Sequence, residues 1–111
     1  MDELDANVRR LRGSRRFRLY MSTVMRAGAD EGVVHLLDLS TTGALVTAPR
    51  PPAVGTRVFL RLLGGAHGAR VVRREGRSFG VEFAKPLSAL DVAALIAAGE
   101  EEAAAAAAAV A

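Results

Sequence analysis

A carboxylate, a hydroxyl and a glycine stand at short spacing in Asp38-Leu39-Ser40-Thr41-Thr42-Gly43. If this segment ends a strand, the alternation of side chains puts Asp38 and Ser40 on one side, a carboxylate beside a hydroxyl at the surface. Gly43 would then let backbone and ligand approach closely. The same residue types build ordinary turns, so the segment by itself assigns no function. A second cluster lies upstream, where six of the fourteen arginines fall between Arg9 and Arg18. A guanidinium presents a planar fork that grips phosphate and guanine edges bidentately, whereas lysine offers only a point charge. Taken alone, this cluster fits a solvated basic arm better than a dedicated site.

No catalytic constellation can be assembled beside these groups. The chain has no cysteine, hence no thiolate nucleophile, thiolate zinc ligand or disulfide. His35 falls in an apolar strand and His67 in a glycine loop, neither at metal-ligand spacing from a second donor. Ser40 lacks the strand-turn-helix setting of a nucleophile elbow, and Glu82 has no second carboxylate nearby in sequence. The expectation is a non-enzyme without metal or cofactor. The aromatic residues are Phe17, Tyr20, Phe59, Phe79 and Phe83. Most of them are expected to point inward with the core, which leaves no stacking platform for single-stranded nucleic acid.

The elements that must position Asp38 and the arginines can be read from periodicity. Over 111 residues with net charge +3, half are hydrophobic, enough for one modest core. Phe17, Leu19, Met21, Thr23 and Met25 alternate with outward residues and predict a first strand. Ala27 to Gly32 reads as a turn, Val33 to Leu39 as a second strand and Ala44 to Thr47 as a third. Pro49, Pro51 and Pro52 forbid a central strand. Thr56 to Leu63 alternates again, Gly64 to Gly68 reads as a loop, and Ala69–Arg74 and Ser78–Phe83 flank a short hairpin connection. Ser88 can cap a helix from Ala89 to about Ala98, with Leu90, Ala93, Ala94 and Ala97 on one face and Gly99 as its stop.

Six short strands and one helix predict an all-β fold, a six-stranded antiparallel β-barrel of the split-barrel type with a C-terminal α-helix. The expected organisation is a basic arm over residues 1–16, the barrel with its helix over 17–98, and a Glu/Ala-rich low-complexity tail over 99–111. In the arm, Leu4, Val8 and Leu11 allow a short helix, and a mobile segment fits equally well. The acidic start lacks an apolar segment and no run is long enough to span a bilayer, so a cytoplasmic protein without membrane insertion is expected.

The Asp38–Gly43 segment resembles the D/N-x-S-x-x-G signature of the PilZ family, bacterial receptors for cyclic di-GMP. That family also carries R-x-x-x-R just ahead of its first strand, a spacing supplied here by Arg12-Gly13-Ser14-Arg15-Arg16. Leu37–Val46, Val54–Val58, Val71–Arg73 and Gly80–Phe83 look like further family segments, in family order, so the resemblance spans roughly residues 12–96. Aligned instead by strand alternation, Arg18 matches the second arginine, Ser14 takes the first position and Arg15 falls one place late.

The resemblance implies a barrel that holds cyclic di-GMP on its outer surface, clamped by the arm. Asp38 would accept the guanine N1–H and N2–H donors, Ser40 would add a hydroxyl, and Gly43 would allow close approach. Arg12, Arg15, Arg16 and Arg18 would supply guanine N7/O6 contacts and phosphate charges. Each good bidentate contact discriminates by about 1–3 kcal/mol, and two or three together would contribute toward micromolar affinity. Residues 9–18 would order on the ligand and alter a surface seen by a downstream protein partner. The alternatives are a PilZ-like adaptor that has lost nucleotide binding and, third, a basic nucleic-acid-binding barrel. Nucleic acid is not the expected partner.

Overall fold

The computed structural model describes residues 15–110. Its elements are β1 (Phe17–Ala27), β2 (Asp30–Leu39), β3 (Gly43–Thr47), β4 (Arg57–Leu62), β5 (Gly65–Glu75), β6 (Ser78–Phe83) and the helix α1 (Ala89–Val110). All neighbouring strands are antiparallel, and they close in the order β1-β2-β3-β6-β5-β4. The expected six-stranded barrel with a C-terminal helix is the observed fold.

Period-two patterning places the core. Met21 and Met25 of β1, Val34 and Leu36 of β2, and Val58, Leu60 and Leu62 of β4 are buried inside the barrel. Val71, Phe79, Val81 and Phe83 join it from β5 and β6, and Ala44 and Val46 from β3. Phe79 and Phe83 are the buried aromatics; Tyr20 is exposed, and Phe17 and Phe59 are half-buried. The expectation that most aromatics point inward is therefore corrected. Phe59 alternates with Val58 and Leu60 and so faces out, with its ring against guanidinium groups.

Two hairpins are tighter than the sequence suggests. Ala27 pairs directly with Asp30, so the β1–β2 turn is Gly28-Ala29 and β2 starts before Val33. Leu62 pairs with Gly65, and Leu63 and Gly64 both take positive φ (53° and 80°), the signature of a type I′ turn. The expected glycine loop from Gly64 to Gly68 is thus mostly strand, and His67 lies in β5 opposite Leu60. Glycines demote a strand by propensity, but here the neighbouring ladder fixes them.

The barrel closes weakly at one seam. The β1–β4 ladder holds only Met25↔Leu60 and Arg26↔Phe59, helped by the Thr23 hydroxyl donating to the Arg61 carbonyl. Helix α1 lies along the rest of β1. Ser88 caps it, accepting from the Asp91 amide at 3.0 Å. The helix then runs through Gly99 instead of stopping, so residues 100–110 continue it rather than fray. Gly99 is buried against β1, where a Cβ would stand 3.4 Å from the Leu19 Cδ1. One turn on, the Glu102 carboxylate accepts from the Ser22 amide (2.9 Å) and hydroxyl (3.1 Å), where β1 has no β4 ladder partner. The helix face is also corrected. Val92, Leu95 and Gly99 are buried, whereas Leu90 is 82% exposed and Ala93, Ala94 and Ala97 face outward. A barrel-facing stripe at 92, 95 and 99 satisfies helical spacing equally well and buries the larger side chains.

Candidate functional site

Asp38 sits where β2 ends and its pairing with β3 shifts register, between Leu36 and Asp38. The irregularity turns its carboxylate to the outer face, where the side chain is 18% exposed. Oδ1 accepts from the Leu45 amide at 3.1 Å and from the Arg16 guanidinium at 2.6 Å. The backbone bond fixes the carboxylate, while Arg16, with its side chain 45% exposed, can leave without disturbing the sheet.

Cross-strand register extends the site in one row over five strands. Arg18 pairs with Asp38, Asp38 with Leu45, Leu45 with Gly80 and Gly80 with Arg73. Gly80 is the gap in that row. A Cβ there would stand 2.8 Å from the Arg73 Nε and 3.0 Å from its Cγ, so the Arg73 side chain lies across the glycine. Two shallow clefts meet at Leu45. One of about 490 Å³ is lined by Arg18, Leu19, Leu37 and Asp38, and one of about 420 Å³ by Arg73, Arg74, Ser78 and Gly80 among others. The result is a shelf with one fixed carboxylate and arginines on both sides, suited to a ligand that presents paired N–H donors and anionic oxygens.

Ser40 does not stand beside Asp38 on this surface. It is 1% exposed, and its hydroxyl accepts from the Thr42 amide (3.2 Å) and the Gly43 amide (3.1 Å). Strand alternation ends at Leu39, so the side-by-side expectation fails there, and Ser40 becomes the hub of the turn. Gly43 is required for a reason other than ligand approach. A Cβ at this position would stand 2.2 Å from the Val81 carbonyl oxygen of the neighbouring strand.

Of the four expected arm arginines, Arg16 and Arg18 are brought to Asp38. Arg15 instead lies over the Phe17 ring, 5.0 Å from its centroid. Arg12 lies outside the described residues, as does most of the arm expected to order on the ligand. Arg73 escaped the sequence reading as a site residue. Its signal was the Arg73-x₆-Gly80 spacing, which becomes meaningful only once the β5–β6 register is known.

The family model for the PilZ domain matches residues 10–98. The chain belongs to the PilZ family. PilZ domains are in general receptors for cyclic di-GMP and are generally non-catalytic. Among solved structures, the chain is similar to the PilZ domain of CeSA from a cellulose synthesizing bacterium, with 22% identity and a TM-score of 0.56. That match covers 78% of this chain and 99% of the other, and the likeness is one of fold. No curated protein matches. Among the described residues of this PilZ barrel, no helix is long and apolar enough to cross a membrane, and no three His, Cys, Asp or Glu side chains group to hold a metal ion.

Proposed function

We propose that the chain is a non-enzymatic cyclic di-GMP receptor that takes the nucleotide on the outer shelf around Asp38. The observation that carries this reading is the single row of Arg18, Asp38, Leu45, Gly80 and Arg73, with Arg16 already seated on the carboxylate. In this reading Asp38 accepts N1–H and N2–H of one guanine, and the guanidinium forks take guanine N7 and O6 and the two phosphates. Arg73 serves as a cation from the far side of the shelf.

Ligand entry exchanges partners at Asp38. The Arg16 end of the ion pair is open to solvent while Asp38 is mostly covered, and such a pair contributes about 1 kcal/mol. A hydrogen bond to a charged group contributes about 1.5–3 kcal/mol, and the carboxylate accepts two from guanine N1–H and N2–H, so the exchange favours the ligand. Arg16, displaced from the carboxylate, stays within reach of a phosphate. Ser40 and Gly43 act by holding the turn that presents Asp38, as positioning residues. Arg16 leads straight into β1, so a change of its partner is felt by the preceding arm, and this is the route to a protein partner.

Calorimetric titration with cyclic di-GMP tests the reading. The chain should bind in the micromolar range, and Asp38→Ala should weaken binding at least tenfold with an unchanged circular dichroism spectrum. Absence of binding heat at several temperatures would leave a PilZ barrel that serves as an adaptor only.

A further inference from the structure

A second arginine cluster stands apart from the Asp38 shelf, on the outer face of β1, β4 and β5. Arg57, Phe59 and Arg61 alternate outward from the buried Val58, Leu60 and Leu62. Register places Arg26 opposite Phe59 and Arg70 opposite Arg57. All four arginines are exposed, and among the described residues none of them forms an ion pair. The guanidinium carbons of Arg26 and Arg57 lie 4.8 and 6.0 Å from the Phe59 ring centroid.

Two features of this cluster point to a use beyond the stability of the isolated fold. Arg57 and Arg70 are like charges directly opposite on neighbouring strands, an arrangement that destabilises a sheet. Arginine and a half-buried aromatic on an open face are also the residue types that dominate binding energy at protein interfaces.

We propose that this face docks an acidic segment of a partner protein, with carboxylates received by Arg26, Arg57, Arg61 and Arg70 around Phe59. Guanidinium forks match carboxylates bidentately. The face suits a patterned protein surface better than a nucleic acid strand for two reasons. The Phe59 ring has the Arg26 guanidinium 4.8 Å from its centroid and its edge over Gly68, so a base could stack there only by displacing Arg26. Glu31, opposite Arg26, and Glu82, opposite Arg70, stand at the margins and would repel a continuous polyanion. The inference requires the barrel but not nucleotide binding at Asp38. Arg26 is at the opposite end of β1 from Arg18, so both faces can be occupied at once.

The test uses the full chain, a peptide of eight Glu-Ser repeats with spaced carboxylates, and an oligothymidylate of equal charge. The Glu-Ser peptide should shift the backbone amide resonances of residues 57–61 and 66–70 most strongly. Arg57→Gln with Arg70→Gln should weaken the peptide at least tenfold, while Arg73→Gln with Arg74→Gln leaves it unchanged. The first pair should also raise the melting temperature, since it removes the opposed charges; a purely structural role for these arginines predicts a lower one. Amide shifts confined to residues 15–18 or to the β5–β6 hairpin, unaltered affinity in the first double variant, or tighter oligothymidylate binding at β4 and β5 would each overturn the proposal. Cyclic di-GMP titration of the same Arg57→Gln/Arg70→Gln variant separates the two faces, because its nucleotide affinity should match that of the unaltered chain.

Discussion

Asp38 and Ser40, two residues apart in one motif, do different physical work. A carboxylate fixed by a backbone amide and covered by one exposed arginine is ready to exchange partners. A hydroxyl at 1% exposure, bonded to two amides of its own turn, is structural. Ser40→Ala should therefore leave two buried or half-buried amides without an acceptor and cost about 1–3 kcal/mol in urea unfolding. Any loss of nucleotide affinity in that variant should follow the loss of stability. Gly43→Ala forces a methyl group onto the Val81 carbonyl and should cost about 1–3 kcal/mol in the same assay. Among the arginines, Arg12→Ala with Arg16→Ala should weaken cyclic di-GMP more than Arg15→Ala with Arg18→Ala, because Arg16 is the one seated on Asp38 and Arg15 is turned to Phe17. Calorimetry on the two double variants decides this, and affinities in both that match the unaltered chain would remove the arm from the site. Charge and spacing singled out Asp38 and the arginines only as candidates, and the resemblance to the PilZ family joined them into one proposed site. The direction of Ser40 was not legible, because alternation holds only while a strand continues and β2 ends at Leu39.

The strands were legible wherever apolar residues alternate, as in β4, and were shortened wherever glycine and polar residues joined a ladder. His67 and Gly68 belong to β5 because β4 pairs with them, not because of their own propensity. The helix shows the same tertiary override. Gly99 reads as a stop by local chemistry, yet packing on Leu19 and Met21 and the Glu102–Ser22 bonds carry the helix past it. The alanine-rich extension would be marginal as an isolated helix, and its attachment to β1 stabilises it. Glu102→Ala should cost about 1 kcal/mol, read by thermal unfolding, by leaving the Ser22 amide to water at the weak seam. Leu95→Ala, at a buried position, should cost about 2–5 kcal/mol, whereas Leu90→Ala should change stability little. Equal effects at the two leucines would contradict the helix orientation.

For the whole molecule, β1 is the shared element. Its first residues meet Asp38, its middle receives α1, and its end carries Arg26 into the second arginine face. In the reading proposed above, this PilZ barrel holds a nucleotide at one place and a protein at another, and neither proposed site overlaps the core. The central claim concerns where the nucleotide lies, and amide shift mapping of the full chain during cyclic di-GMP titration tests it most directly. The largest changes should fall on Arg16, Arg18, Asp38, Leu45, Arg73 and Gly80, with residues 57–61 unmoved. Saturable shifts centred away from that row, or none at millimolar nucleotide, would contradict it.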